Sequence, residues 1–72
     1  MKEKKKLWQK GSSHYKKFNI QPADFVNKNK LLFAEGNVIK YICRHKDKGK
    51  AEDIKKAIHY CEMILERDYA TD

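Results

Sequence analysis

This sequence predicts an all-α fold: a short helix and a dominant antiparallel helical hairpin, carried behind a flexible basic N-terminal leader. Three observations point there. Apolar residues recur at the 3.6-residue period over two long stretches, about Leu32 to His45 and about Lys50 to Tyr69. Between them Lys46, Asp47, Lys48 and Gly49 make a short polar connection, which suits antiparallel neighbours. Ahead of both, Gln21-Pro22-Ala23-Asp24 is a helix-start signal, with proline at the first helical position and an acid in the first turn.

With 72 residues, the chain holds one small domain, assigned to 14–72, with a basic leader over 1–13. A domain of this size buries only about 60% of the surface its unfolded chain exposes. No disulfide framework or metal cluster is legible, so a homo-oligomer is the expected supplement. Charged residues make up 38% and hydrophobic residues 40%, as in a soluble protein with a compact apolar face. No apolar run approaches the ~18 residues of a membrane span, and the basic N-terminus lacks the apolar core of a secretory signal.

The net charge is +7, which favours phosphate-bearing partners. Lysines dominate, and the chain has only Arg44 and Arg67 for the bidentate contacts that read base edges. Sequence-specific DNA recognition is therefore disfavoured, while non-specific nucleic-acid contact through the leader stays open. Cys43 and Cys61 fall within apolar helical patterns and read as reduced core cysteines, with no zinc-binding spacing.

In order along the chain, the leader carries a lysine run at Lys4 to Lys6 and a lone Trp8. His14 to Ile20 reads as extended chain that pins Tyr15, Phe18 and Ile20 against the core. The short helix runs from Pro22 to about Lys28 and should bury Phe25 and Val26. In the next helix Ala34, Val38 and Ile42 form the apolar arc, with Ile39 and Cys43 beside them. Gly36 inside it costs about 1 kcal/mol relative to alanine, so a close approach by another backbone or a ligand is expected there. Gly49 is expected to take a positive φ. In the last helix Ile54, Ile58, Cys61 and Leu65 step by four, three and four, with Ala57 and Ile64 alongside, and read as the seam against its neighbour. Glu52, Lys55, His59, Glu62 and Glu66 read as the solvated face.

Two polar stripes flank these seams. Asn37, Lys40, Tyr41 and Arg44 stand at i, i+3, i+4 and i+7, and Asp53, Lys56 and Tyr60 repeat the pattern. Arg44 and Asp53 are expected to pair. Between the stripes lies a helix N-terminus set among Lys46, Gly49 and Lys50, whose free N–H groups and dipole suit a phosphate. Tyr15, Tyr41 or Tyr60 offers a ring for a base, and Asn37 a base-edge contact. An ordinary solvated lysine turn and a surface helix face account for the same spacing. There is no G-x-x-x-x-G-K-[ST] phosphate loop and no carboxylate cluster fit for magnesium, so no metal site is expected.

SSHY at Ser12–Tyr15, QPADFV at Gln21–Val26, GNVIKYICRHKDKGK at Gly36–Lys50 and EDIKKAIHY at Glu52–Tyr60 together resemble a known group. They are similar to small helical bacteriophage proteins, formerly a domain of unknown function, which include the nucleotide kinase made early by podoviruses. The likeness covers roughly residues 12 to 65. It implies a protein of the infected host cytoplasm that binds nucleotides and, as a homo-oligomer, phosphorylates dTMP and dGMP. No tightly bound cofactor is implied; a nucleoside triphosphate would be the phosphoryl donor. Carried over, His14, Lys40, Arg44 and Asp53 are candidate catalytic residues. Tyr15, Asn37, Lys40, Tyr41, Arg44, Lys46, Gly49, Lys50, Lys56 and Tyr60 are candidate nucleotide ligands. A non-catalytic nucleotide sponge, an inhibitor of a host enzyme and a basic nucleic-acid binder are the alternatives.

Overall fold

The computed structural model describes residues 18–70. They form α1 (Pro22–Lys28), α2 (Phe33–Arg44) and α3 (Ala51–Tyr69), with no strand among the described residues. The predicted elements are all present, and each boundary falls within a residue of expectation. The expectations for the leader, Trp8, His14 and Tyr15 lie outside the described residues.

α1 begins as its sequence dictates, with Pro22 in the first turn after Gln21 and Asp24 beside the positive end of the dipole. It ends in a paired-carbonyl stop. Lys30 N–H donates to the Asn27 carbonyl and Leu31 N–H to that of Val26, both at 3.1 Å. Lys30 takes φ 55 to make this turn, which is the Schellman pattern of a left-handed residue just beyond the helix. The turn brings Leu31 back over Val26 and sends the chain into α2.

α2 and α3 make the hairpin, and its seam is thin. Among the described residues the buried hydrophobic side chains are Ala34 and Ala57, and the Asp53 carboxylate is buried more fully than either. The expected α3 seam is corrected accordingly. Ile58 is 53% exposed and Leu65 58% exposed, and Cys61 is exposed too. The inward line runs through Asp53 and the expected Ala57, both buried, and through Tyr60 and the expected Ile64, both half-buried, while Ile54 is half-buried at its edge. Asp53, Ala57, Tyr60 and Ile64 each stand one position before a member of the apolar stripe, so the line lies roughly 100° round the helix from it. Polar pairing with Arg44 and ring contact with Tyr41 decide the rotation.

Other burial expectations are revised the same way. Ile42, Phe25 and Ile20 are 47%, 44% and 63% exposed, so the arc of α2 and the entry segment are only partly covered. Cys43 is half-buried, and burial pushes its thiol pKa up. The close approach at Gly36 is real, but its author is a side chain: a Cβ there would meet Val26 Cγ1 at 3.0 Å. At the open end of the hairpin Arg67 of α3 clamps Glu35 of α2 with both guanidinium nitrogens. This pair holds the Glu35 carboxyl below its ordinary range.

Candidate functional site

The turn between α2 and α3 is built around one carboxylate. Asp53 stands in the first turn of α3 with its side chain 1% exposed, and Arg44 ends α2 with its side chain 14% exposed. Arg44 Nε donates to Asp53 Oδ2 at 2.8 Å and Nη2 donates to Oδ1 at 3.2 Å. The backbone N–H of Gly49 donates to Oδ2 at 3.1 Å. This is the expected pair, in the two-pronged geometry that only arginine supplies. The Arg44 guanidinium is the main reason the Asp53 carboxyl sits below its ordinary range, and the Gly49 N–H adds to the effect.

Two expectations about this turn change. Gly49 lies outside the left-handed region, and the positive φ belongs to Lys50, at φ 53 and ψ −133, the residue before α3. Glycine is needed at 49 for space: a Cβ would lie 2.5 Å from Asp53 Oδ2 and nearer still to the rest of that carboxylate. The N–H offered there for a phosphate is taken by Asp53. Asp53, ionised and fully engaged, anchors Arg44 and the turn rather than standing ready to accept a proton. Lys50 Nζ donates to the Lys46 carbonyl at 2.6 Å, which braces the turn.

One turn along, the two polar stripes do meet. The rings of Tyr41 and Tyr60 stack with centroids 6.0 Å apart and an interplanar angle of 11°. Phe33 meets Tyr60 edge-on at 5.8 Å. Three cations surround the Tyr41 ring: Arg44 Cζ at 4.8 Å, Lys40 Nζ at 5.0 Å and Lys56 Nζ at 5.3 Å from its centroid. The quadrupole of the ring attracts each of them. Their compensation differs. Arg44 has Asp53, whereas Lys40 and Lys56 form no ion pair among the described residues. Their ammonium groups lie within about 10 Å of each other, inside roughly one Debye length.

Lys40 also reaches the other notable feature, a cleft of about 350 Å³ between α1 and the start of α2. Its walls are Pro22, Val26, Leu31, Leu32, Phe33 and the bare backbone of Gly36, with Asn37 and Lys40 at one end. The Asn37 amide donates to the Phe33 carbonyl at 2.8 Å, which fixes the side chain. The structure therefore brings together Asn37, Lys40, Tyr41, Arg44, Asp53, Lys56 and Tyr60. It places Lys46 and Lys50 on the outside of the turn. The cleft itself was missed in the sequence; the signal was Gly36 one turn before Lys40 on the same helix.

Among the described residues no three His, Cys, Asp or Glu side chains gather as a metal-binding group. None of the described helices is long and apolar enough to cross a membrane.

Fold and site together define a class: small all-α proteins organised on a helical hairpin with a cation-rich edge. Residues 9–62 match the DUF3310 family, described as proteins of unknown function, and the chain belongs to that family. No curated protein and no solved structure gives a significant match.

Proposed function

We propose that this protein binds a nucleotide along the α2 edge of the hairpin, with the base in the apolar cleft and the phosphates on Lys40 and Lys56. The observation that carries the reading is the position of Lys40. Its side chain lines the 350 Å³ cleft, and its ammonium is one of the cations around Tyr41. A mostly apolar hollow with a few convergent polar groups is the usual form of a small-molecule site. Here the polar groups are an amide and unpaired cations, which match a base edge and a phosphate chain. Arg44, already neutralised by Asp53, sets the geometry of the cluster and leaves the net positive charge to the lysines.

The narrower reading is phosphoryl transfer from a nucleoside triphosphate to dTMP or dGMP in the cytoplasm of a phage-infected cell, resting on the resemblance of the chain. In that reaction the lysine charge would stabilise the transferring phosphoryl group, as electrostatics does in phosphoryl transfer generally. Incubating the full chain with dTMP or dGMP and a triphosphate tests it, with nucleoside diphosphate as the expected product. Saturable binding without product would leave a nucleotide sponge.

The binding reading is tested by calorimetric titration of the full chain with dTMP, dGMP and their triphosphates. Removing both lysines, as Lys40→Ala with Lys56→Ala, should weaken binding at least tenfold, since a charged hydrogen bond is worth roughly 1.5 kcal/mol or more. Both lysines are exposed, so the fold should not notice. Undiminished binding in that variant would place the ligand elsewhere.

A further inference from the structure

The hairpin leaves one apolar stripe largely uncovered, with only its first residue, Ile54, half-buried. Ile54, Ile58, Cys61 and Leu65 follow one another along α3 at the four–three–four spacing of a coiled-coil seam. Ile58 and Leu65 are more than half exposed and Cys61 is exposed. On one side of the stripe stand Ala57 and Ile64, turned toward α2. On the other, away from α2, stand Lys55 and Glu62, about two turns of helix apart and both exposed. Lys55 touches Glu52 at 3.8 Å, an exposed contact that holds it only weakly.

We infer that this stripe is the seam of a two-fold symmetric dimer in which α3 packs antiparallel against α3 of a second copy. The register follows from the spacing. With the axis midway between His59 and Tyr60, Ile54 meets the partner's Leu65 and Ile58 meets the partner's Cys61, and symmetry repeats both layers. The same operation brings Lys55 beside the partner's Glu62, twice over. The surface is thus self-complementary in shape periodicity and in charge, as an isologous interface requires. An in-register parallel pairing would set Lys55 against the partner's Lys50, a like charge, and Glu62 against the partner's uncharged Ala57, with no such match. The thin core supplies the need: with only Ala34 and Ala57 as buried hydrophobic side chains among the described residues, the hairpin gains apolar core by association.

Sedimentation equilibrium of the full chain at physiological salt tests this. The expected mass is twice the 8.6 kDa of one chain, or an even multiple of it. Ile58→Glu should return the monomer. Lys55→Glu and Glu62→Lys should each weaken the dimer about tenfold, and the two together should restore it. Both charge variants sit on exposed positions, so they decide the matter even if Ile58→Glu fails to fold. A chain that stays monomeric at every concentration would overturn the inference. So would an assembly indifferent to all of these changes, or a double swap that restores nothing.

Discussion

Replacing Gly49 by alanine probes the turn that holds the hairpin closed. The backbone there is no obstacle, because Gly49 lies outside the left-handed region. The added methyl would fall within 2.5 Å of Asp53 Oδ2, and that side chain is not free to swing away. It is fixed by two nitrogens of Arg44 and by the Gly49 N–H itself. Something must move, and overpacking of this kind costs roughly 1–3 kcal/mol. In a domain of this size each kcal/mol moves the melting midpoint by about 4–8 °C. Gly49→Ala should therefore melt on the order of 10 °C lower by circular dichroism. Repeating the substitution in an Asp53→Ala background isolates the cause, since contacting sites are non-additive. There the alanine at 49 should cost little. An equal loss in both backgrounds, or no loss in the first, would refute the steric account.

Other outcomes follow from the same geometry. Lys50→Gly should raise the midpoint, because a lysine at φ 53 and ψ −133 carries strain that glycine does not, roughly 1 kcal/mol. Gly36→Ala should change thermal stability little: helix propensity gains what the 3.0 Å approach to Val26 takes back, whereas Gly36→Val should visibly loosen α1 from α2. Asp53 and Glu35 have folded carboxyl pKa values below their ordinary 3.8 and 4.5, so each adds stability that is present above those values and lost as pH falls through the folded ones. Melting midpoints should thus hold steady above about pH 5 and drop in acid. Asp53→Asn should flatten part of that drop at the expense of stability at neutral pH. Arg44→Lys should destabilise as well, since an ammonium cannot reproduce the fork.

The elements were legible because each carries local punctuation. Pro22 with Asp24, the Lys46–Gly49 turn and the helical period fixed the number, order and ends of the helices. The rotation of α3 was not legible. Ile54, Ile58, Cys61 and Leu65 are the more regular apolar line, and hydrophobic periodicity alone turns them inward. Arg44 with Asp53 and Tyr41 with Tyr60 outweigh that line by directional contact, and Ala57 makes room for it. The expected Arg44–Asp53 pair already contained this answer, because a buried carboxylate at 53 and a buried isoleucine at 58 cannot both lead the seam. The candidate site was half legible: spacing grouped Lys40, Tyr41 and Arg44 with Lys56 and Tyr60. The Arg44–Asp53 pair was legible too, but not that the Gly49 N–H is engaged by the same carboxylate.

The account turns on Lys40 joining the cleft to the cation cluster. Titrating the full chain with dTMP and with dGMP, alongside the variant lacking Lys40 and Lys56, tests that most directly. Saturable binding by the native chain, weakened at least tenfold in a variant with an unchanged melting midpoint, is the predicted result. No binding by the native chain, or equal binding by both, would contradict it.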